Sequence, residues 1–421
     1  MYQTTCLDHG LTVATAPLPH MASVALGIWV GVGGRHEPAE RNGISHFIEH
    51  LLFKGTHRRT AAQISQAVEG VGGYLNAFTD EEHTCLYARA QASRMPDLLD
   101  VLLDMFSDSR FAPREIERER DVIKEEIAMY LDQPSERVHD LLNSLQFPGH
   151  PLGRPVIGTP DTLDRMRRAD FLGYQKSHYV SGATIIAAAG PVEHVDLVRR
   201  IRSAIDKFPP GVRPRSEAVP QRPGGARVEA VFMATEQANV SLGIRTCSRH
   251  DERRFALRLL NVVLGENMSS RLFQVIRENH GLTYNIQSTA SFWEDCGDLV
   301  ISAGLDPADL EKTLRLVHRE LHRLTEKPPT AAEFRRARDY VLGQHELQLE
   351  GTEHHMMTLG EQWLGYGRLF PPGELSARLA AVTPSHVRQA ARDFFRPENF
   401  SLALVSPRKS ARGLARLIGG A

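Results

Sequence analysis

The sequence predicts an α+β architecture built twice, as two related domains that each pack helices on an antiparallel or mixed sheet. Three observations carry this. In each half, strand-like segments come first and long helical segments follow. A Pro/Gly/Arg-rich stretch, Phe208-Pro-Pro-Gly-Val-Arg-Pro through Pro220-Gln-Arg-Pro-Gly-Gly225, interrupts the chain near its middle and reads as an interdomain linker. The flanking halves repeat with a displacement of about 210 residues, too long for a solenoid period and suited to a duplicated domain. A chain of 421 residues exceeds the usual size of one core, and 42% hydrophobic residues are ample for two. The expected division is residues 1–208, a linker at 209–225 and residues 226–421.

Taken in order, Leu11-Thr-Val-Ala-Thr15, Ser23–Val32 and His83–Ala90 are strand-like, being rich in β-branched and aromatic residues. Asn42-Gly43 supplies a helix start, Ile44, Phe47, Ile48, Leu51 and Leu52 give that helix an apolar face, and Gly55 stops it. Helical patterns follow near Met95–Ser107, Arg114–Leu131 and Glu136–Leu145. The second half repeats the order, with strands at Asn239–Ile244, Tyr284–Ser291 and Asp298–Ala303 and helices near Pro307–Leu324 and Ala331–Glu350. Glu115-Ile-Glu-Arg-Glu-Arg-Asp-Val-Ile matches Glu333-Phe-Arg-Arg-Ala-Arg-Asp-Tyr-Val, and Gly72-Gly-Tyr-Leu-Asn76 matches Gly281-Leu-Thr-Tyr-Asn285.

Chemistry is concentrated in His46-Phe-Ile-Glu-His50. On a helix, residues four apart share a face, so His46 and His50 can bind one metal ion while Glu49 points at the same space, the arrangement of an inverted zinc-protease motif. Two imidazoles leave a tetrahedral hydrolytic zinc one protein ligand short. In the charged helix Pro113–Ile127, Glu119 and Glu126 lie two turns apart on one face. Glu126 completes a two-histidine, one-carboxylate set, Glu119 suits a supporting carboxylate that orients a ligand imidazole, and Glu49 suits the base that takes the proton of an activated water. The implied reaction is amide hydrolysis with one zinc ion per chain. The set does not repeat: with Gly55 against Gly265, His46, Glu49 and His50 fall opposite Ala256, Leu259 and Leu260, and Glu119 and Glu126 opposite Ala337 and Gln344.

Gly43-Ile-Ser-His-Phe-Ile-Glu-His-Leu-Leu-Phe-Lys-Gly-Thr56 resembles the signature of the pitrilysin/insulinase metallopeptidases, in the branch of the mitochondrial processing peptidase and its bacterial relatives. Gly72-Gly-Tyr-Leu-Asn-Ala-Phe-Thr79, Glu119 with Glu126, and Ser270 through Tyr284 extend the resemblance along most of the chain. It implies two related α/β sandwich domains, His46, His50 and Glu126 as zinc ligands, Glu49 as catalytic base and Glu119 as supporting glutamate. It also implies that Asn76 and Ala77 lie on a strand that pairs with substrate backbone, and that Arg277 and Tyr284 form a pair that holds substrate near the scissile bond. Because the family's chamber is built from four such domains, a homodimer is implied, with a related partner subunit as the other arrangement. Without the resemblance, Arg277 reads as a surface salt bridge and Tyr284 as a strand-core aromatic.

The leading expectation is a zinc endopeptidase acting on peptides or unfolded segments; the alternative is a non-catalytic scaffold subunit of the same fold. A net charge of −1 gives no case for nucleic acid or an anionic membrane. Cys6, Cys85, Cys247 and Cys296 lack CxxC spacing and read as buried reduced thiols. With no apolar run of membrane-spanning length, and a strand-like segment following Met1 closely, a cytoplasmic bacterial enzyme is expected. Glu353-His354-His355 reads as exposed polar surface, Gly31-Val-Gly-Gly34 as a strand-ending turn and Met356-Met357 as core packing.

Overall fold

A computed structural model describes residues 2–220, 226–371, 373–408 and 413–419, so residues 221–225 at the end of the expected linker lie outside the described residues. The chain forms two compact units. The first contains a six-stranded sheet in the order β1-β2-β6-β3-β5-β4, made of β1 (Gln3–Cys6), β2 (Thr12–Pro17), β3 (Ser23–Val30), β4 (Tyr74–Thr79), β5 (Thr84–Gln91) and β6 (Thr184–Gly190). Among the described residues only β2 and β6 run parallel, so the sheet is mixed. Its helices are α1 (Ile44–Leu52), α2 (Ala61–Glu69), α3 (Met95–Asp108) and α4 (Pro113–Asp132), the last of which belongs to this unit as far as Ile127. The next helix, α5 (Pro134–Gln146), belongs to the second unit, and α6 (Pro160–Arg165), α7 (Arg168–His178) and α8 (His194–Ser203) return to the first.

Alternation along the strands serves two covered faces. Leu26 and Ile28 of β3, with Val13, Leu86 and Ile186, pack on Phe47, Ile48 and Leu51 of α1 and Leu98 and Leu102 of α3. Ala25 and Trp29 face the other way, with Ala14, Ala16, Ala187 and Ala189, and meet Met356, Leu359 and Leu364 of α12 (Thr352–Tyr366). Burial on both sides is why these strands read as nearly continuous apolar runs. Small residues on the second face let α12 approach closely, and a side chain at Gly360 would collide with the Trp29 indole. Docking of α12 corrects one expectation: His355 is buried rather than exposed, bonded to the Tyr2 hydroxyl at 3.1 Å and to the Leu349 carbonyl at 3.0 Å. Cys6, at the end of edge strand β1, is in turn exposed rather than buried.

The second unit holds β7 (Arg227–Phe232), β8 (Ala238–Thr246), β9 (Thr283–Phe292), β10 (Gly297–Leu305) and β11 (Phe400–Ser406) in the order β7-β11-β8-β10-β9. Among the described residues only β7 and β11 are parallel in this sheet. Strand for strand this repeats β2-β6-β3-β5-β4, and β1 is the addition in the first unit. One face packs Leu242, Leu299 and Ile301 against α9 (Arg253–Asn261), α10 (Leu310–Glu326), α11 (Ala331–Gln348) and α14 (Pro384–Phe394), with α13 (Glu374–Ala380) beside α9. On the other face, Val138 and Leu142 of α5 meet Ala403 and Val405.

Each unit therefore takes its outer helix from a separate stretch of the chain. Ala128–Gly153 groups with the second unit and Glu346–Pro372 with the first, so each unit is discontinuous in sequence.

Candidate metal centre

The site is built on α1. Gly43, at φ 94°, turns the chain into the helix in a left-handed conformation that a side chain would strain. The first-turn amides are met by the buried Glu37 carboxylate, which accepts hydrogen bonds from Gly43 N at 2.7 Å, Ser45 N at 2.8 Å and Asn42 Nδ2 at 3.1 Å. Burial pushes the Glu37 pKa up, and these donors oppose the rise. With one face of α1 locked into the core by Ile44, Phe47, Ile48, Leu51 and Leu52, His46, Glu49 and His50 occupy the opposite, half-buried face.

Helix α4 supplies the remaining carboxylates. One ligand atom each from His46, His50 and Glu126 lies within 4.8 Å of the others. His50 Nε2 is 3.7 Å from Glu126 Oε2, while its Nδ1 is 3.4 Å from Glu119 Oε2. Glu119 is buried, and its other oxygen, Oε1, lies 2.9 Å from Lys54 Nζ. The His46 and His50 rings are 4.7 Å apart at 60°. Burial and then the neighbouring His50 push the His46 pKa down to about 4, which keeps that imidazole neutral. Its Nδ1 is buried and has no hydrogen-bond partner among the described residues. Two imidazoles and a carboxylate whose ligand atoms converge in this way make a zinc-type donor set, so these residues can hold a divalent metal ion.

Glu49 lies beside this cluster with Oε2 accepting the Thr79 hydroxyl at 2.6 Å. Burial raises its pKa, opposed by Thr79 and His50 and reinforced by Glu126. Thr79 closes β4, the edge strand of its sheet. On that strand Asn76 is exposed and Ala77 is 9% exposed; Asn76 Oδ1 accepts from Ala77 N at 2.9 Å, and Asn76 Nδ2 donates to Tyr74 OH at 2.7 Å.

Family models match residues 12–160, described as insulinase (peptidase family M16), and residues 165–341, described as the peptidase M16 inactive domain. The chain belongs to peptidase family M16. Among relatives of this M16 chain, an uncharacterized zinc protease of Streptomyces coelicolor is 40% identical over 96% of this chain and 89% of its own length. An uncharacterized zinc protease of Bacillus subtilis is 35% identical over 96% of this chain and 97% of its own. A probable mitochondrial-processing peptidase subunit beta of Arabidopsis thaliana is 30% identical over 96% of this chain and 78% of its own. A protease from Helicobacter pylori shares the fold with a TM-score of 0.91 at 20% identity, over 97% of this chain and 100% of that one.

In the second unit of this M16 protein, Arg277 and Tyr284 line one cavity of about 680 Å³. Arg277 sits in a π-helical turn, Phe273–Glu278, with its guanidinium 4.7 Å from the Phe273 ring centroid and 3.8 Å from Glu278. Tyr284, at 84% exposed, is not a core aromatic. The counterparts of the first unit's cluster, Ala256, Leu259, Leu260 and Ala337, are core residues, and Gln344 is exposed.

Three residues at the site were not singled out from sequence. Thr79 lies on the same strand face as Ala77, two residues before it, a relation that strand alternation contains once a partner is known. Lys54 falls just beyond α1 and reaches Glu119 only through the tertiary fold. Glu37 caps α1 from outside its first turn, and local sequence holds no signal for that.

Proposed function

We propose that this M16 protein is a zinc-dependent endopeptidase that hydrolyses peptides or unfolded polypeptide segments. The observation that carries the reading is the convergence of His46, His50 and Glu126 ligand atoms within 4.8 Å, with the Glu49 carboxylate presented on the same helix face. His46, His50 and Glu126 would hold zinc, which when bound supplies Lewis acidity toward a carbonyl oxygen and lowers the pKa of water. Glu49 accepts the proton of the attacking water on its carboxylate and delivers it to the departing amine nitrogen. Glu119 accepts a hydrogen bond from His50 Nδ1–H, which leaves Nε2 as a lone-pair donor.

Substrate adds as a strand along the edge of β4 near Asn76 and Ala77, so that backbone hydrogen bonds supply affinity with little demand on sequence. Arg277 and Tyr284 hold the chain being cleaved, and a homodimer lets the pair of one subunit serve the site of the other, a related subunit being the alternative partner. The reading places the enzyme in the bacterial cytoplasm. The intact donor set of two imidazoles and a carboxylate favours it over a scaffold role, which needs no such convergence.

Mass spectrometry of a peptide mixture incubated with the purified protein tests this. Internal cleavage that stops with a chelator and returns with added zinc is expected. Peptides left intact by zinc-replete protein would refute the proposal.

A further inference from the structure

The Glu119 carboxylate bridges two groups of unlike role. Oε2 faces His50 Nδ1 at 3.4 Å, and Oε1 faces Lys54 Nζ at 2.9 Å. The Glu119 side chain is 2% exposed, against 33% for Lys54. Lys54 lies two residues past the end of α1, so the helix that carries both histidines also carries, on its exit turn, the cation that meets their supporting carboxylate.

We infer that Lys54 is a positioning residue for the metal centre, fixing Glu119 so that its second oxygen holds the His50 ring in the ligating orientation. The inference rests on the zinc reading of His46, His50 and Glu126. Burying a carboxylate is costly unless its oxygens are paired, and on the Oε1 side the pairing group is the Lys54 ammonium, which holds that oxygen in place. Charge points the same way. Glu49, Glu119 and Glu126 place three carboxylates around a site for a divalent cation, which leaves one negative charge for Lys54 to neutralise. Without the ammonium, Glu119 can rotate away from His50, and the imidazole loses the partner that selects its tautomer and ring plane.

The test is the zinc dissociation constant of the full-length protein, read by competition with a chromogenic chelator. Lys54→Met should weaken zinc binding by roughly 10-fold or more, the range typical of lost outer contacts, and Lys54→Arg should restore most of the loss. In a Glu119→Gln background, Lys54→Met should add little further weakening, since its effect runs through Glu119. The unfolding midpoint of each metal-free variant checks the fold, and Lys54→Gln replaces Lys54→Met should the latter not fold. Wild-type affinity in the uncharged Lys54 variants would overturn the inference, as would full weakening in the Glu119→Gln background. A wild-type chain that binds no zinc would instead overturn the proposed function itself.

Discussion

The Thr79 hydroxyl donates to Glu49 Oε2 across 2.6 Å, tying the last residue of the β4 edge to the carboxylate proposed as catalytic base. One short bond thus fixes the base relative to the strand on which substrate would lie. It leaves Glu49 Oε1 as the oxygen not engaged by Thr79.

Replacing Thr79 by Val keeps the β-branched shape and removes the donor. A hydrogen bond to a charged group is worth about 1.5–3 kcal/mol, so Thr79→Val should lower kcat by roughly 10- to 100-fold. KM should change little, because β4 keeps its backbone, and Thr79→Ser should recover most of kcat. Steady-state kinetics of the two variants decide; a loss confined to KM would place Thr79 in substrate binding instead.

Acid should weaken the second unit through Glu333. Its carboxylate accepts from Thr330 N at 2.8 Å and from Arg271 Nε at 2.8 Å. Burial alone would raise its pKa, but the bonds from Arg271 and Thr330 outweigh burial and hold it at about 2, below the 4.5 of a free glutamate. A depressed folded-state pKa means stabilisation that is complete above the unfolded value and is lost as pH falls from 4.5 toward about 2. Glu333→Gln should therefore cost about 1–2 kcal/mol near neutral pH, with the difference from wild type shrinking through that window. Urea unfolding across the range measures it, and a difference independent of pH would remove Glu333 as the titrating group.

The second unit should remain free of metal. Gln344→Glu restores a carboxylate opposite Glu126, but Ala256 and Leu260 are buried core residues that supply no imidazole. Elemental analysis should still find about one zinc per chain. Two tightly bound ions would undo the alignment of the halves.

Mixing two inactive proteins tests sharing between subunits. If Arg277 serves the partner's site, Glu49→Gln and Arg277→Ala chains should regain part of the activity once subunits exchange, since some mixed dimers hold one complete site. Peptidase activity after proven exchange is the readout. No recovery would confine Arg277 to its own chain's site, and an active monomer by light scattering would remove the dimer altogether.

Much of this fold is legible locally. The amphipathic period of α1 predicts which side of the helix carries His46, Glu49 and His50, and alternating or apolar runs predict β3, β5, β8, β9 and β10. Central strand β6 is not legible, because Ile-Ile-Ala-Ala-Ala-Gly carries three strong helix formers and is a strand only by virtue of its neighbours on both sides. Its small residues make sense once α12 is seen lying across Ala187 and Ala189. Which sheet α5 or α12 covers is likewise a tertiary choice, since an apolar stripe specifies that a face is buried and not by what. That choice also decides His355, which adjacency to His354 suggested was surface. At the site, spacing gives the two histidines and the carboxylates two turns apart, whereas Lys54, Glu37 and Thr79 reach it through contacts that no local period encodes.

The most direct measurement pairs zinc content with peptide cleavage in wild type and Glu49→Gln. Glutamine keeps the volume of the side chain but accepts no proton, while His46, His50 and Glu126 are untouched. Both proteins should carry about one zinc per chain, and only the wild type should cleave. Glu49→Gln protein that cleaves at the wild-type rate, or active wild-type protein without zinc, would contradict the account.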